Sequence, residues 1–258
     1  DFDENLLTGT INNLKLQMMN LMEENSDRAD LYVQSFINGT DWADEVKRID
    51  NLGKISKQDV IEWACKYLAD NNYAVVYKRQ GEDRTVQKVS APKITPIKSN
   101  RDVQSAFLAE IQAVEVEPIE PVYADFEKDM SIFNVKGVDV LYAQNKINDV
   151  TGITIEYNTG TESDPALNLA FDYLSYLGTP TRSAEEIAQQ MYQLACNFGL
   201  SSGSNRTFIS IYGLSENMPE AMAIVEDLAY NAVPDEAILA NLKADMFKSR
   251  ADAKLNQG

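Results

Sequence analysis

Two stretches of the sequence carry serine in patterns that serine hydrolases use. Residues 199–203 match G-x-S-x-G, in which a strand precedes the serine, a helix follows it and a histidine acts as base. Here helix-like sequence precedes the serine and strand-like sequence follows it, which indicates a glycine-bounded turn from a helix into a strand. Residues 90–93 match S-x-x-K, which needs a helix that Pro92 disfavours. We interpret both matches as coincidences.

Histidine is absent from all 258 residues. Its absence excludes Ser-His-Asp and Cys-His nucleophiles, H-E-x-x-H and its inverted form, and every histidine-ligated zinc finger. The two cysteines, Cys65 and Cys196, are too few for a cysteine-based zinc site, and the sequence leaves open whether they form a disulfide. No glycine-rich phosphate-binding motif is present, so nucleotide binding has no support.

Acidic residues dominate the charge, since 40 Asp and Glu against 23 Lys and Arg give a net charge of −17. Carboxylate pairs such as Glu185 with Glu186, or Asp125 with Glu127, have the residue types that glycoside hydrolysis needs. Among so many acids such pairs arise by chance, and a solvated surface explains them. The acidity disfavours nucleic acid as a partner, because phosphate binding needs clustered Lys and Arg.

Membrane insertion is not expected, because no apolar run approaches the roughly 18 residues of a membrane span. We expect a soluble α+β protein. The sequence does not distinguish a periplasmic from a cytoplasmic location.

The elements that would position functional residues begin with a helical block, residues 1–90. Apolar residues recur at helical spacing over 4–24, about 27–38, and 42–49. Ser56 and Asp59 form a variant of the capping box and begin a fourth helix. Residues 73–77, which read Tyr-Ala-Val-Val-Tyr, predict a strand that closes the block.

Residues 91–130 form an acidic connector. The stretch around it contains four of the eight prolines, which fix φ and lack a backbone donor, so an extended course is expected. One short helix, capped by Ser99 or Asn100 and continuing to Ile111, interrupts it.

Residues 131–258 return to alternating strands and helices. Strands at 138–142 and 153–157 are predicted to form a hairpin-like pair. Residues 165–177 predict a helix that is apolar nearly all round and therefore buried. The remaining predicted elements are a helix capped by Ser183 and Glu186 that continues through Phe198, a strand pair at 200–202 and 207–212, and helices at about 218–231 and 235–254. This order predicts an α+β fold, with helices packed on one face of an antiparallel-rich sheet.

One segment resembles a landmark of the pitrilysin/insulinase family of zinc metallopeptidases. From Leu169 the sequence reads Leu-Ala-Phe-Asp-Tyr-Leu-Ser-Tyr-Leu-Gly-Thr, and Ser-Ala-Glu-Glu follows from Ser183. The active half of the family carries H-x-x-E-H on a helix that ends in a similar Gly-Thr. Alignment on this Gly-Thr puts the first zinc-binding histidine at Leu169, the catalytic glutamate at Asp172 and the second histidine at Tyr173. None of the three positions is therefore predicted to be functional.

Family members contain two homologous halves, and the second is typically degenerate in this way. Residues 57–68 and 74–77 resemble the closing helix and strand of the first half. The resemblance implies that 1–90 is the C-terminal part of the first half, 91–130 is the connector and 131–258 is the N-terminal part of the degenerate second half. It implies no catalytic residue, no metal ligand and no cofactor in this chain, with zinc in the full-length parent if that parent is active.

The function implied by the resemblance is that of a non-catalytic central segment of a zinc metalloendopeptidase. Such a segment would help to enclose the substrate and bind peptide, with the rest of its parent chain and peptide substrates as partners. A segment of an inactive family member, acting as partner or scaffold subunit, is the alternative. An unrelated acidic binding module is a third interpretation, which the matching element order disfavours.

Overall fold

The computed structural model describes residues 3–69, 72–78, 80–81, 89–96 and 103–255. The chain divides into two compact units, one made of Asp1–Ala69 with Asn145–Gly258 and the other of Asp70–Gln144. This division follows packing alone, so the assignment of the three sequence blocks to family halves stays a prediction.

The first unit begins with five helices. They are α1 (Glu4–Glu23), α2 (Asn25–Asn38), α3 (Trp42–Val46), α4 (Arg48–Leu52) and α5 (Lys57–Tyr67). Asp3 caps the start of α1, and Gly39 ends α2 in the left-handed conformation that glycine adopts readily. The predicted capping box at the start of α5 is confirmed, because Ser56 and Asp59 accept from each other's backbone N–H groups. The predicted helix over 42–49 is interrupted at Lys47.

The helices α2 to α5 bury very little of their surface. Among residues 25–69, all of which the structure describes, only Ser35 is buried. Large apolar side chains remain exposed on α2 and at the C-terminal end of α5: Tyr32, Val33, Phe36, Ile37, Trp63, Tyr67 and Leu68. The helices α2 to α5 are therefore formed, but within the described residues they do not pack into a buried core.

The second unit contains α6 (Ala106–Gln112), α7 (Phe126–Asp129) and the antiparallel strands β1 (Met130–Val135) and β2 (Val138–Ala143). The two-residue turn between the strands puts Lys136 and Gly137 at φ 52° and 91°, which suits a tight hairpin. Ser105 caps α6. The predicted cap at Ser99 or Asn100 lies outside the described residues.

Two strand predictions were wrong in these segments. Residues 73–77 lie in no strand, because β-rich composition does not supply the partner strand that a ladder needs. The predicted pairing of 138–142 with 153–157 is replaced by β2 pairing with β1, which the tight turn at Lys136 favours.

The rest of the first unit is a three-stranded antiparallel sheet with helices. Its strands are β3 (Val150–Tyr157), β4 (Cys196–Ser202) and β5 (Thr207–Leu214), in the order β3-β5-β4. Its helices are α8 (Leu167–Leu174), α9 (Ala184–Gln193), α10 (Met218–Asn231) and α11 (Glu236–Ala253). The predicted α+β class and the pairing of the last two strands are confirmed.

The core lies between the central strand β5 and the helices α9 and α10. Alternate residues of β5 face this layer, and Ile209 and Ile211 are buried there against Ile224 and Leu228 of α10. Apolar side chains from α8 and the two outer strands pack at the margin of this cluster.

The predicted helix through Phe198 was wrong at its end, since α9 stops at Gln193. Ala195 has φ 46°, which breaks the helix, and Cys196, Phe198 and Leu200 then alternate on β4. Residues 199–202 of the G-x-S-x-G match therefore lie in a strand and not in a turn. A period of two in the apolar residues was the signal for this strand.

The N-terminal helix α1 packs against α9 and the end of the sheet. Leu16 joins a second buried cluster with Val150 and Leu214. Asn13 donates to the backbone oxygen of Tyr192 at 2.7 Å. A Cβ on Gly9 would lie 2.9 Å from the Tyr192 ring, so glycine permits this close approach.

Candidate functional site

The helix α8 carries the three positions aligned with the zinc motif. Leu169 and Tyr173 are half-buried, and Asp172 is exposed. The Tyr173 hydroxyl donates to the backbone oxygen of Asp235 at 2.7 Å and accepts from its N–H at 2.6 Å. Tyr173 thus ties α8 to the segment that begins α11.

Zinc does not fit these three side chains. Leu169 has no donor atom, and the Tyr173 hydroxyl is already engaged with Asp235. Catalytic zinc in proteins is held by three side chains with nitrogen, sulfur or carboxylate donors. Of these three positions, only Asp172 has such a donor. Within the part of the chain that the structure describes, no group of three or more His, Cys, Asp or Glu side chains is placed to hold a metal ion.

Burial of α8 was predicted from its composition, and this prediction was wrong. The described helix contains no fully buried residue, and its large apolar side chains are half-buried. An apolar surface all round a helix is buried only where other elements cover each side, and the described chain covers α8 in part.

The loop after α8 is held by a polar cluster centred on Asp227 of α10. One oxygen, Asp227 Oδ2, accepts from the Thr179 hydroxyl at 3.0 Å and from Arg182 Nη1 at 2.9 Å. The other oxygen accepts from Asn231 at 2.9 Å. Arg182 Nε also donates to Gln190 of α9 at 3.0 Å. The cluster therefore connects the loop to both helices of the core.

Hydrogen bonds control the charge of Asp227. The bond from Asn231, then the bond from Thr179 and the nearby Arg182 guanidinium, hold the pKa of the Asp227 carboxyl below its usual range. The carboxylate form is the one that accepts all of these bonds. Asp227 consequently stays ionised to more acidic pH than an ordinary aspartate.

A cleft of about 640 Å³ opens beside this loop. One wall comes from the segment between α8 and α9, and the other from the start of α11 and the residues before it. The lining residues used below are Tyr176, Pro180, Arg182, Glu186, Val233 and Asp235. Convergent walls with a few charged groups are typical of binding sites.

Glu186 lines the cleft and also caps a helix. It accepts from the backbone N–H of Ser183 at 2.7 Å, completing the predicted capping box at the start of α9. Backbone and side-chain hydrogen bonds from Ser183, followed by the Arg182 charge, lower the pKa of the Glu186 carboxyl. The cleft therefore keeps a negative charge on this wall at mildly acidic pH.

The other candidates from the sequence lie apart from the cleft. Cys65 is exposed on α5 and Cys196 is buried on β4, and both thiols are free. Burial raises the pKa of the Cys196 thiol, which opposes thiolate formation. Asp125 and Glu127 bracket the start of α7, where the Asp125 side chain acts as the helix cap. None of the helices in the described ranges is long and apolar enough to span a membrane.

Comparison with known proteins supports the resemblance found in the sequence. Over 94 residues the chain is 27% identical to an uncharacterized zinc protease of Rickettsia felis, a match that covers 36% of this chain and 22% of that protein. The chain thus spans about a fifth of the length of the curated relative it matches. No family model matches the chain. The chain resembles the pitrilysin/insulinase zinc metallopeptidases, as predicted.

Three solved structures are similar to parts of this chain. A peptidase M16 inactive domain from Pseudomonas fluorescens is 19% identical, with a TM-score of 0.45 and coverage of 50% of this chain and 32% of that one. A protease from Helicobacter pylori is 12% identical, with a TM-score of 0.41 and coverage of 47% and 30%. The periplasmic protease PqqL from Escherichia coli is 12% identical, with a TM-score of 0.43 and coverage of 78% and 20%.

No functional residue of this cleft was predicted from the sequence, which gave Tyr173 only as a degenerate position, the Gly-Thr at 178–179 only as a landmark of the resemblance and Glu186 only as a helix cap. The structure places the Gly-Thr and Glu186 in the lining of the cleft, and Tyr173 bonds to Asp235, which also lines it. Asp227 was not predicted, since it lies 45 residues after its partner Arg182. Neither side chain belongs to a local motif, so only the fold brings them together.

Proposed function

We propose that this chain is a non-catalytic central segment of a zinc metallopeptidase, which helps to enclose peptide substrates and binds peptide without cutting it. The observation that carries the proposal is the state of α8. At the positions aligned with zinc-binding histidines, the helix has Leu169, which cannot bind metal, and Tyr173, which bonds to the backbone of Asp235. The similarity to the Rickettsia felis zinc protease supports the peptidase context.

In this proposal the degenerate helix has a structural role. A histidine pair at positions 169 and 173 would face the metal in an active half, where zinc acidifies a water for attack on a peptide carbonyl. Here Tyr173 holds α8 against the start of α11 through Asp235, and Asp235 lines the cleft. The helix therefore shapes a surface for peptide instead of supplying ligands.

The rest of the parent chain is the proposed partner of α2 and α5. Their exposed aromatic and aliphatic side chains include Phe36, 88% exposed, and Trp63, 57% exposed. The exposed apolar residues at 32, 33, 36 and 37 lie on one face of α2, and an exposed apolar patch of this kind marks an interaction site. The match spans only 22% of the zinc protease of Rickettsia felis. This supports the proposal that another segment of the same polypeptide packs on these side chains.

The experiment that tests the proposal combines metal analysis with a cleavage assay. The purified chain is dialysed against zinc sulfate, its zinc content is measured by mass spectrometry, and an unstructured internally quenched peptide is added. We expect substoichiometric zinc and no zinc-dependent cleavage, since the aligned positions lack ligands. The matched control variant is Asp172→Asn, which removes the one carboxylate at these positions.

Stoichiometric zinc or peptide cleavage that disappears in Asp172→Asn would contradict the proposal. Sequence of the same polypeptide before Asp1 separates the two forms of the hypothesis. An H-x-x-E-H motif there supports an active peptidase parent, and a degenerate motif there supports a partner or scaffold subunit.

A further inference from the structure

The cleft beside α8 has the features of a groove for an extended peptide. We infer that it binds peptide segments in which basic residues alternate with apolar ones; this inference rests on the proposed peptide-binding function and assigns it a place and a ligand class. Three properties of the cleft carry the inference: its apolar walls, its prepared geometry and its charge.

Apolar side chains stand exposed on both walls. Tyr176 is 57% exposed on the first wall, and Val233 is 47% exposed on the second. Pro180 belongs to the first wall and Pro234 to the second. An aromatic ring and rigid prolines bind an extended segment with little loss of side-chain entropy, because few of their rotors are free.

Backbone contacts hold the two walls before any ligand arrives. Thr179 donates to the backbone oxygen of Arg182 at 2.7 Å, which closes the first wall into a tight loop. Val233 donates to the backbone oxygen of Gly178 at 2.9 Å, which joins the second wall to the first. Tyr173 adds its two bonds to Asp235. Because these bonds already fix the loops, peptide binding does not have to order them, and less conformational entropy is lost.

The charge of the groove is negative. Two carboxylates line it, Glu186 at the start of α9 and Asp235 at the start of α11. Exposed Glu185 and Glu236 are their neighbours in the chain and add negative charge next to the lining. The single basic residue of these two segments is Arg182, whose guanidinium is paired with Asp227 at 2.9 Å. The net charge of −17 adds long-range attraction for cations. Basic side chains along a bound segment would thus meet carboxylates on both walls.

The test measures fluorescence anisotropy of a labelled peptide in which Arg alternates with Val, titrated with the 258-residue chain. A matched peptide has Glu in place of Arg. We expect binding of the Arg peptide, weakened by salt, and no binding of the Glu peptide. In the chain, Glu185→Lys with Glu236→Lys is expected to weaken the Arg peptide about tenfold at low salt.

A second variant, Tyr176→Ala, tests the apolar wall and is expected to weaken binding about tenfold, as loss of an aromatic anchor does. The charge control is Glu4→Lys with Glu220→Lys, which changes net charge equally at the first turns of α1 and α10. The aromatic control is Tyr123→Ala, at an exposed tyrosine of the second unit. Thermal unfolding of each variant checks that it folds.

If the groove variants and the control variants change binding of the Arg peptide by the same amount, the groove is not the binding site. Peptide binding by the chain would then still stand. Equal binding of the Glu peptide would overturn the charge preference. Failure of the Arg peptide to bind the folded chain would overturn this inference, whereas the zinc and cleavage assays test the proposed function separately.

Discussion

Two pairs of helices in the first unit have the same local design and opposite burial. The helices α5 and α9 both begin with a complete capping box, and α2 and α10 are both fourteen residues long. Yet α10 buries five residues and α9 two, whereas α2 buries only Ser35 and α5 none. The difference lies in the sheet, because β5 offers an apolar face to α9 and α10.

This comparison separates helix formation from packing. Caps and helical periodicity are local properties, and both regions have them. Burial needs a second surface of matching shape, which the described chain provides for α10 but not for α2. Stability in the two regions should therefore respond differently to the same chemical change.

The largest effect is expected from one leucine in each region. Leu228→Ala on α10 removes a side chain that is 2% exposed and should lower the free energy of unfolding by about 3 kcal/mol. Leu68→Ala after α5 removes one that is 69% exposed and should cost less than about 0.5 kcal/mol. Urea unfolding followed by circular dichroism measures both. Equal losses would show that the two regions share a core.

A smaller effect is expected at the two capping boxes. Ser183→Ala should lower the free energy of global unfolding by about 1 kcal/mol, because α9 is part of the core. Ser56→Ala removes the same bond from α5, where it should speed local amide hydrogen exchange and leave global unfolding nearly unchanged. Hydrogen exchange with mass spectrometry distinguishes the two outcomes. A global loss from Ser56→Ala would contradict the comparison.

The smallest effect concerns pH and the Asp227 cluster. Because the folded pKa of Asp227 lies below its usual value of 3.8, the carboxylate stabilises the fold above that value and loses this contribution as pH falls through the folded pKa. The melting temperature of Asp227→Asn should therefore fall less than that of the unchanged chain between about pH 6 and about pH 3. Asp252→Asn, at the exposed end of α11, is the matched control. An unchanged pH profile in Asp227→Asn would refute the role of this carboxylate.

Local signals predicted most of the helices and the last strand pair. The helices α1, α2 and α5 follow from apolar spacing, α10 and α11 lie where the sequence predicted helices, and the boxes at Ser56 and Ser183 follow from two residues each. Predictions failed where a partner decided the outcome. Residues 73–77 have strand composition without a strand, and β2 pairs with β1 because a tight turn at Lys136 makes that pairing local.

The candidate site shows the same limit. The degenerate positions Leu169 and Tyr173 could be named from one segment, because the resemblance there depends on consecutive residues. The hydroxyl bond from Tyr173 to Asp235 spans 62 residues, and the Arg182–Asp227 pair spans 45. Sequence spacing carries no signal for such contacts.

By itself the sequence determined the chemistry that this chain lacks and the local elements that it forms. Without histidine it cannot form H-x-x-E-H, and its caps and apolar periods act over a few residues of backbone. Only the tertiary structure decided which helices are buried, where Asp227 lies and how two distant loops make one cleft. The physical reason is that burial and charge pairing depend on distances in space, which the fold sets and local sequence does not.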